Sequence, residues 1–426
     1  NSSAIQDLGL TRSAARPSLG GGYEVDADYY EVSVPLMGGD VTLPFIASLV
    51  VDYSSRTIDN SIAGSYDVDA TSLNWRVMDD LAIRVSEQTA VKAPDLGDLF
   101  LPQITTFSTA ADPCDYRYRD VGRNPEQRRA NCDAEGIPAD FISNVVNATA
   151  QGVTGGNPNL INEVADTKST GLVYQPSWWG DVLFGAASFA VDYIEIELTD
   201  YVTSYSLTQN MNACYDYDTY PNSQFCDSFS RDAEFQVDDF ATGLINAGLI
   251  DFATYVWKAD WAFDVSELAS FVSRENVAMD LGSMAIRYRA TQEDFFASAD
   301  SGAAEDLRSA TGQFGNDEWF YDTQFEWAYQ DWYVYVQGNS RSGGVIDIDR
   351  VYDDEYLGYD GQPIFEFDGY TSWNGGVGYR VNDGTTLRVN VSNLFDYDGT
   401  EDDVFTPEAD LLFYGRSVTA SMNVRF

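Results

Sequence analysis

Polar and apolar residues alternate with a period of two along much of this chain, most regularly in its last stretch. Val418, Ala420, Met422, Val424 and Phe426 are apolar, while Thr419, Ser421, Asn423 and Arg425 are polar. Such alternation sends the two sets to opposite faces of a strand. The pattern recurs upstream. Leu73, Trp75 and Val77 oppose Asn74 and Arg76, and Leu81, Ile83 and Val85 oppose Ala82, Arg84 and Ser86. Tyr255, Trp257, Ala259, Trp261 and Phe263 oppose Lys258 and Asp260; Tyr321, Thr323, Phe325 and Trp327 oppose Asp322, Gln324 and Glu326. Trp332, Val334 and Val336 oppose Tyr333, Tyr335 and Gln337. Trp373, Val377 and Tyr379 oppose Asn374 and Arg380, and Leu387, Val389 and Val391 oppose Arg388, Asn390 and Ser392. With less regular stretches at 29–36, 45–53, 165–174, 182–198 and 276–290, the last expected to carry a bulge, the reading predicts thirteen strands and an all-β chain.

The connections sort by length. Short turns at 77–80, 176–181 and 381–384 alternate with long segments at 91–163, 200–251, 292–317, 343–365 and 396–411. A transmembrane barrel, with short turns on one side and long loops on the other, has this rhythm. A soluble sandwich has no reason to place its long loops at one end. Residues 1–22, glycine-rich at 20–22, read as a loop, and 23–426 as barrel with long outer loops near 91–163 and 200–251. Trp257, Trp261, Trp332, Val334, Trp373, Val389 and Val424 are then expected to face lipid. Arg84, Lys258, Gln324, Asn390 and Arg425 are expected to face a watery lumen.

Composition sharpens this. No run of 18 apolar residues exists for a transmembrane helix, which does not argue against strands that need only about 9–11 alternating residues. The 27 tyrosines suit strands and interface girdles. A net charge of −44, from 24 Lys+Arg against 68 Asp+Glu, excludes nucleic acid as a partner. It fits solubility in a salty habitat or a cation-attracting mouth. The absence of His removes His-based triads and His metal sites. Cys114, Cys132, Cys214 and Cys226 lie pairwise in two polar segments without C-x-x-C spacing. Two local disulfides, Cys114–Cys132 and Cys214–Cys226, are therefore expected rather than zinc, and they imply an oxidising compartment. The chain opens at Asn1 without a signal-peptide pattern, so a leader is expected to have been removed or the N-terminus to lie upstream.

Candidate chemistry is sparse. Asp79–Asp80, Asp238–Asp239 and Asp353–Asp354 are carboxylate pairs of the kind that 68 acids supply by chance, and no catalytic residue or cofactor is expected. Asp347, Asp349, Asp353, Asp354 and Asp360 in the stretch 344–360 could offer oxygen to Ca²⁺, but without a fixed ligand spacing. Tyr333, Tyr335 and Arg380 are the candidates for lining a ligand path through a lumen, since flat rings stack on sugars and other flat ligands. An alternative class stays open at this point: a secreted or surface acidic β protein, either polysaccharide-active or a Ca²⁺-binding adhesion module.

Four segments carry a family resemblance. Arg84 to Phe100 contains Lys92-Ala-Pro94 and the pair Leu99-Phe100; Gly155-Gly-Asn-Pro-Asn-Leu160 is followed by Glu163, Asp166 and Thr167. Val391-Ser-Asn-Leu-Phe-Asp396 and the ending from Tyr414-Gly-Arg416 to Phe426 complete the set. In this order the segments resemble the TonB-dependent outer-membrane receptors. Asn124 to Arg128 and the two Cys-bearing loops are similar to a subgroup of long receptors of Gram-negative bacteria. The resemblance implies an antiparallel transmembrane β-barrel of about 22 strands around a plug. It implies import of a scarce nutrient (iron–siderophore, cobalamin or oligosaccharide) energised by the TonB system. Thirteen strands are too few and odd in number, and no plug or energy-coupling box precedes residue 23. The expectation is the C-terminal part of the barrel, plug absent, in the outer membrane. Its partners would be outer-membrane lipid, TonB through the missing plug, the barrel-assembly machinery and a small-molecule or oligosaccharide ligand. The resemblance further makes the stripe Val418, Ala420, Met422, Val424 and Phe426 the segment read by that machinery.

Overall fold

The computed structural model describes residues 20–39, 43–180, 185–274, 279–299, 307–313, 315–345, 366–397 and 415–425. Thirteen strands follow one another in chain order as a single antiparallel meander. They are β1 (Val25–Met37), β2 (Ser48–Asn60), β3 (Gly64–Met78), β4 (Leu81–Lys92), β5 (Glu163–Tyr174), β6 (Ala186–Ser204) and β7 (Leu244–Asp264). The path continues through β8 (Ser283–Ala299), β9 (Trp319–Tyr329), β10 (Trp332–Arg341), β11 (Tyr370–Asn382), β12 (Thr385–Ser392) and β13 (Ser417–Val424). A two-residue strand, Arg308–Ser309, adds to β8 off this path.

Register carries the alternation from strand to strand, because residues directly opposite in an antiparallel pair share a face. One row runs Leu49, Trp75, Ile83, Leu172, Val191, Trp257. Another runs Trp327, Val334, Val377, Val389, Ala420. The opposite face carries Arg84, Gly171 and Asp192 in one row and Glu326, Tyr335, Gly376 and Asn390 in another. The sheet thus has one apolar and one polar face, and the Trp set and the charged set fall on opposite sides, as the alternation requires.

The connections sort to the two ends of the sheet with two exceptions. One end carries 38–47, 79–80, 175–185, 265–282, 330–331 and 383–384. The other carries 61–63, 93–162, 205–243, 300–318, 342–369 and 393–416. The first exception is the tight 61–63 turn on the long-loop side. The second is 265–282 on the short-turn side, which holds a helix (Val265–Ser273); the strand expected over 276–290 is found at Ser283–Ala299. Asp264 starts that helix by accepting a hydrogen bond from the Ser266 N–H at 2.7 Å. The expected bulge lies further on, where register shifts between the pairs Ala253–Phe295 and Thr254–Glu293. The long excursions are also shorter than the sequence suggests. β6, β7 and β8 run 19, 21 and 17 residues, and β6 and β7 continue past the end of β5 on the long-loop side.

The sheet does not enclose a layered core. β1 and β13 are the two ends of the path, and both are exposed almost throughout. The largest fully buried side chains instead belong to the two longest loops: Asp112, Pro113, Cys114, Asp115, Cys132, Ile137, Ser143, Leu207, Met211, Cys214 and Tyr215.

Candidate functional site

Connections 93–162 and 205–243 fold together into one outer lobe. Two helices organise it. Pro125–Glu135 begins on its proline and ends at Gly136, whose φ of 88° suits a residue without Cβ. Leu207–Tyr215 begins at Ser206, whose hydroxyl accepts from Gln209 N–H at 3.3 Å while the Gln209 side chain accepts from Ser206 N–H at 3.0 Å. Each helix delivers one half-cystine. Cys114–Cys132 and Cys214–Cys226 are bonded, with Cα separations of 5.7 and 4.9 Å, and each closes within its own loop.

The links between the two loops are non-covalent and polar. Arg231 grips Asp112 through both terminal nitrogens at 2.8 Å, with side chains only 4% and 0% exposed. Arg128 holds Asp216 at 2.6 Å, and also donates to Tyr118 carbonyl and Asn212 Oδ1, each at 3.0 Å. Asn131 donates to the carbonyls of Tyr215 and Tyr217, both at 2.8 Å. Tyr215 and Tyr220 both donate to Glu135, the latter at 3.2 Å. Around these pairs pack Ile137, Phe141, Tyr205, Phe225 and the cystines.

Burial and charge set the titration of the lobe. Burial pushes the Tyr220 phenol up, helped by the Glu135 carboxylate, to about 12. Tyr215 is pushed up further, first by burial, although Arg231 opposes this. Burial works against the charge on Arg231, but the Asp112 contact outweighs it and the guanidinium is held more firmly protonated. Burial likewise opposes ionisation of Asp115. The Arg117 side chain and the N–H groups of Arg117 and Ser143 overcome it and lower its pKa.

Below the lobe, cross-strand ion pairs run along the polar face of the sheet. Arg84 holds Asp192 at 2.7 Å across the side-chain-free Gly171, and Lys258 reaches the same carboxylate at 4.0 Å. Arg289 pairs with Asp260 and Arg287 with Glu326, each at 2.7 Å. Gln337 donates to Asp322 at 2.6 Å.

Tyr333, Tyr335 and Arg380 do share this polar face, the two rings 6.2 Å apart and the Tyr335 hydroxyl 3.3 Å from Asn390. They lie next to the 330–331 and 383–384 turns, at the end of the sheet away from the lobe. Val418, Ala420, Met422 and Val424 lie on the apolar face of β13, opposite Val391, Val389, Leu387 and Thr385. Phe426 and the acids Asp347, Asp349, Asp353, Asp354 and Asp360 fall outside the described residues. Asp80 is occupied by the Ser177 N–H and hydroxyl, each at 2.9 Å, and Asp238 by the Ser230 hydroxyl at 2.6 Å. Among the described residues no group of three His, Cys, Asp or Glu side chains could hold a metal ion.

The segments carrying the resemblance meet in pairs. Lys92 binds the buried Glu163 at 2.7 Å, and Glu163 also accepts from Val202 N–H at 2.8 Å. Gly156 and Asn157 donate to the carbonyls of Leu101 and Asp98 at 2.8 and 2.7 Å. A Cβ on Gly156 would sit 2.7 Å from both Asp98 O and Leu101 N, so only glycine fits. At the other end of the chain, Phe395 stacks edge-on against Trp373, and Asp396 accepts from Arg416 N–H at 2.7 Å. These motifs are the fasteners between strand ends and long loops.

Comparison with known proteins matches the geometry. The family model of the TonB-dependent receptor-like β-barrel covers residues 6–394. No curated protein matches the chain. Among solved structures, a mutant ferric enterobactin receptor PfeA from Pseudomonas aeruginosa aligns over 95% of this chain and 45% of its own, at 12% identity and TM-score 0.56. The siderophore receptor PirA from Acinetobacter baumannii aligns over 96% and 48%, at 14% identity and TM-score 0.55. A PfeA mutant in complex with enterobactin aligns over 95% and 46%, at 12% identity and TM-score 0.54. At such identity the likeness is one of fold, and the chain spans less than half the length of each of these structures.

Proposed function

The chain belongs to the TonB-dependent receptor-like β-barrel family, and from that premise we propose that it supplies the C-terminal barrel wall and an outer lobe to a receptor that imports an iron–siderophore complex. Family members are outer-membrane β-barrel proteins of Gram-negative bacteria, which fixes the location and turns the apolar face to lipid. The short-turn end is then periplasmic and the lobe extracellular.

The observation that carries the reading is the division of one sheet into an apolar face and an ion-paired polar face, with the long loops fused at one end. A lumen wall needs charges neutralised within the wall, and a mouth needs a shaped, rigid margin. The siderophore among the possible cargoes is favoured by structural neighbours that are themselves siderophore receptors. In this reading the protein is a transporter and not an enzyme, the segments outside this chain complete the barrel, and TonB acts through its plug. Tyr333, Tyr335 and Arg380 line the inner, periplasmic part of the path. The β13 stripe serves the assembly machinery.

The test is uptake by cells carrying the complete reading frame that contains this chain, against cells lacking it. Iron-loaded enterobactin, cyanocobalamin and a maltooligosaccharide are the three probes. Saturable uptake of the iron complex that collapses when the proton-motive force is dissipated is expected. Uptake of none of the three, or uptake indifferent to energisation, would refute the reading.

A further inference from the structure

We propose that the helix Val265–Ser273 is an interfacial anchor, lying along the periplasmic surface of the bilayer with its apolar stripe docked among phospholipids. The inference rests on the short-turn end being periplasmic, as read above, and is independent of the cargo.

The helix is amphipathic, but its polar side is the one turned to the protein. Val265, Leu268, Ala269 and Val272 follow the i, i+3, i+4, i+7 spacing of one helical face, bordered by Phe271. In water such a face turns to the protein and the polar residues turn out. Here Ser266 Oγ accepts from the Leu281 N–H at 3.1 Å, which ties the polar side to the base of β8. The hydroxyls of Ser270 and Ser273 donate to the helix carbonyls of Ser266 and Ala269 at 2.8 and 2.7 Å, so that side asks little of water. The stripe is half-buried at Val265, Leu268 and Ala269 and ends in Val272, 73% exposed. Met279, further along the same connection, is 67% exposed.

Position decides what the stripe meets. Glu267 lines a cleft on the polar face of the sheet together with Asp264, Glu326 and Tyr333. Val265 and Val272, two residues before and five after Glu267, project from the opposite side of the helix, toward the lipid face. That face is aromatic where the helix leaves it. Trp261 lies 4.5 Å from Phe263 and 6.1 Å from Trp179, ring to ring, and Trp327 and Tyr329 stack at 5.9 Å on the other flank. The Trp327 indole donates to the Leu281 carbonyl at 2.9 Å, next to the contact made by Ser266. Rings with an apolar body and a polar tip gather where acyl chains give way to headgroups. The helix therefore starts at that boundary, and its stripe continues a surface already turned to lipid. Nine residues, about 13 Å, are enough to lie in the boundary and too few to cross it. The exposed Arg274 caps its carboxyl end, where a lipid phosphate suits a guanidinium.

Spin labels on the complete receptor, in vesicles of phosphatidylethanolamine and phosphatidylglycerol, test the anchor. A nitroxide on Val272→Cys should collide more with oxygen, which concentrates in lipid, than with a nickel chelate, which stays in water. A nitroxide on Glu267→Cys should show the reverse preference, with the parent receptor carried through labelling as the blank. Val272→Asp should raise the rate at which an added protease cuts 265–282 about tenfold, the scale of withdrawing one valine from an apolar setting. Val272→Leu should leave that rate unchanged, and heat-modifiable gel migration shows that each barrel is folded. A chelate preference at both labels would place the helix in water and overturn the anchor. Shielding of the Val272→Cys label from both reagents would also overturn it, because a protein neighbour would then cover the stripe. Equal cutting of the Asp and Leu variants would do the same. Uptake of none of the three probes would sink the cargo reading and leave the label contrast to judge the helix.

Discussion

The sheet and the outer lobe of this protein are stabilised by opposite means. The sheet has an apolar face turned to lipid and neutralises its charges at half-exposed ion pairs, such as Arg287–Glu326 with side chains 43% and 20% exposed. The lobe has no bilayer to lean on and builds an interior of its own. It buries Arg231–Asp112 and Arg128–Asp216, surrounds them with aromatic rings and closes each loop with a disulfide. In the sheet the solvent decides which side chain goes where. In the lobe the partner decides, since a buried charge without its counter-charge is costly. Substitutions should therefore act locally in different ways.

The largest effect is expected from breaking a buried pair. Asp112→Ala takes the two-pronged carboxylate from the buried Arg231, leaving Glu135 only at 3.8 Å, and should destabilise the lobe by about 3–5 kcal/mol. Limited proteolysis should cut the lobe while heat-modifiable migration of the barrel stays normal; loss of both together would deny the lobe its independence. Next comes the lipid face. Val377→Arg, between Val334 and Val389, should cost up to about 4 kcal/mol of barrel stability. Thr419→Arg on the polar face should change it by no more than about 0.5 kcal/mol. Equal costs in urea unfolding from lipid vesicles would contradict the assignment of faces. Removing one bridge by Cys214→Ser with Cys226→Ser should weaken the lobe by about 3 kcal/mol in the chain-entropy picture. Faster proteolysis confined to 205–243 is the expected signature, and an unchanged rate would argue against it.

Smallest are the pH effects expected in the lobe. Asp115 has a folded pKa below its ordinary 3.8. Its stabilising share is complete above that value and fades as pH falls through the folded one. Tyr220 moves the other way, from 10.0 to about 12, so its share is complete below pH 10 and fades as pH rises through 12. Protease resistance of the lobe between these limits should be flat. A loss centred near neutrality would mean that other groups govern it.

How far each region can be read from sequence follows from the same contrast. Alternation is enforced wherever one face meets lipid, so the thirteen strands and the sides of Trp257, Val334, Arg84 and Asn390 were legible. The outer ends of β6 and β7 were not, because there the lobe rather than lipid covers the strands, with Ala247 in its core, and residues such as Asp200, Tyr201 and Asn246 keep no period. The helix at Val265–Ser273 was hidden by apolar residues that continue from β7. The disulfides were legible because each closes locally. The ion pairs of the lobe were not, since Asp112 and Arg231 are 119 residues apart and no local spacing announces them.

The distances along the chain also set an order of events during biogenesis. Cys114 and Cys132 are 18 residues apart and Cys214 and Cys226 only 12, whereas Arg128 must find Asp216 across 88 residues and Arg231 must find Asp112 across 119. Short closures come first, because the entropy of joining two points rises with the chain between them. Each loop is therefore expected to be oxidised as a separate packet before its sister arrives. The hairpin β5–β6 lies between the two packets, so the lobe can latch only after that hairpin has been threaded. Pulse-labelling that caught the two loops docked while their thiols were still free would reverse this order. Closure of the lobe is thus expected to follow delivery of the strands that lie between its two halves.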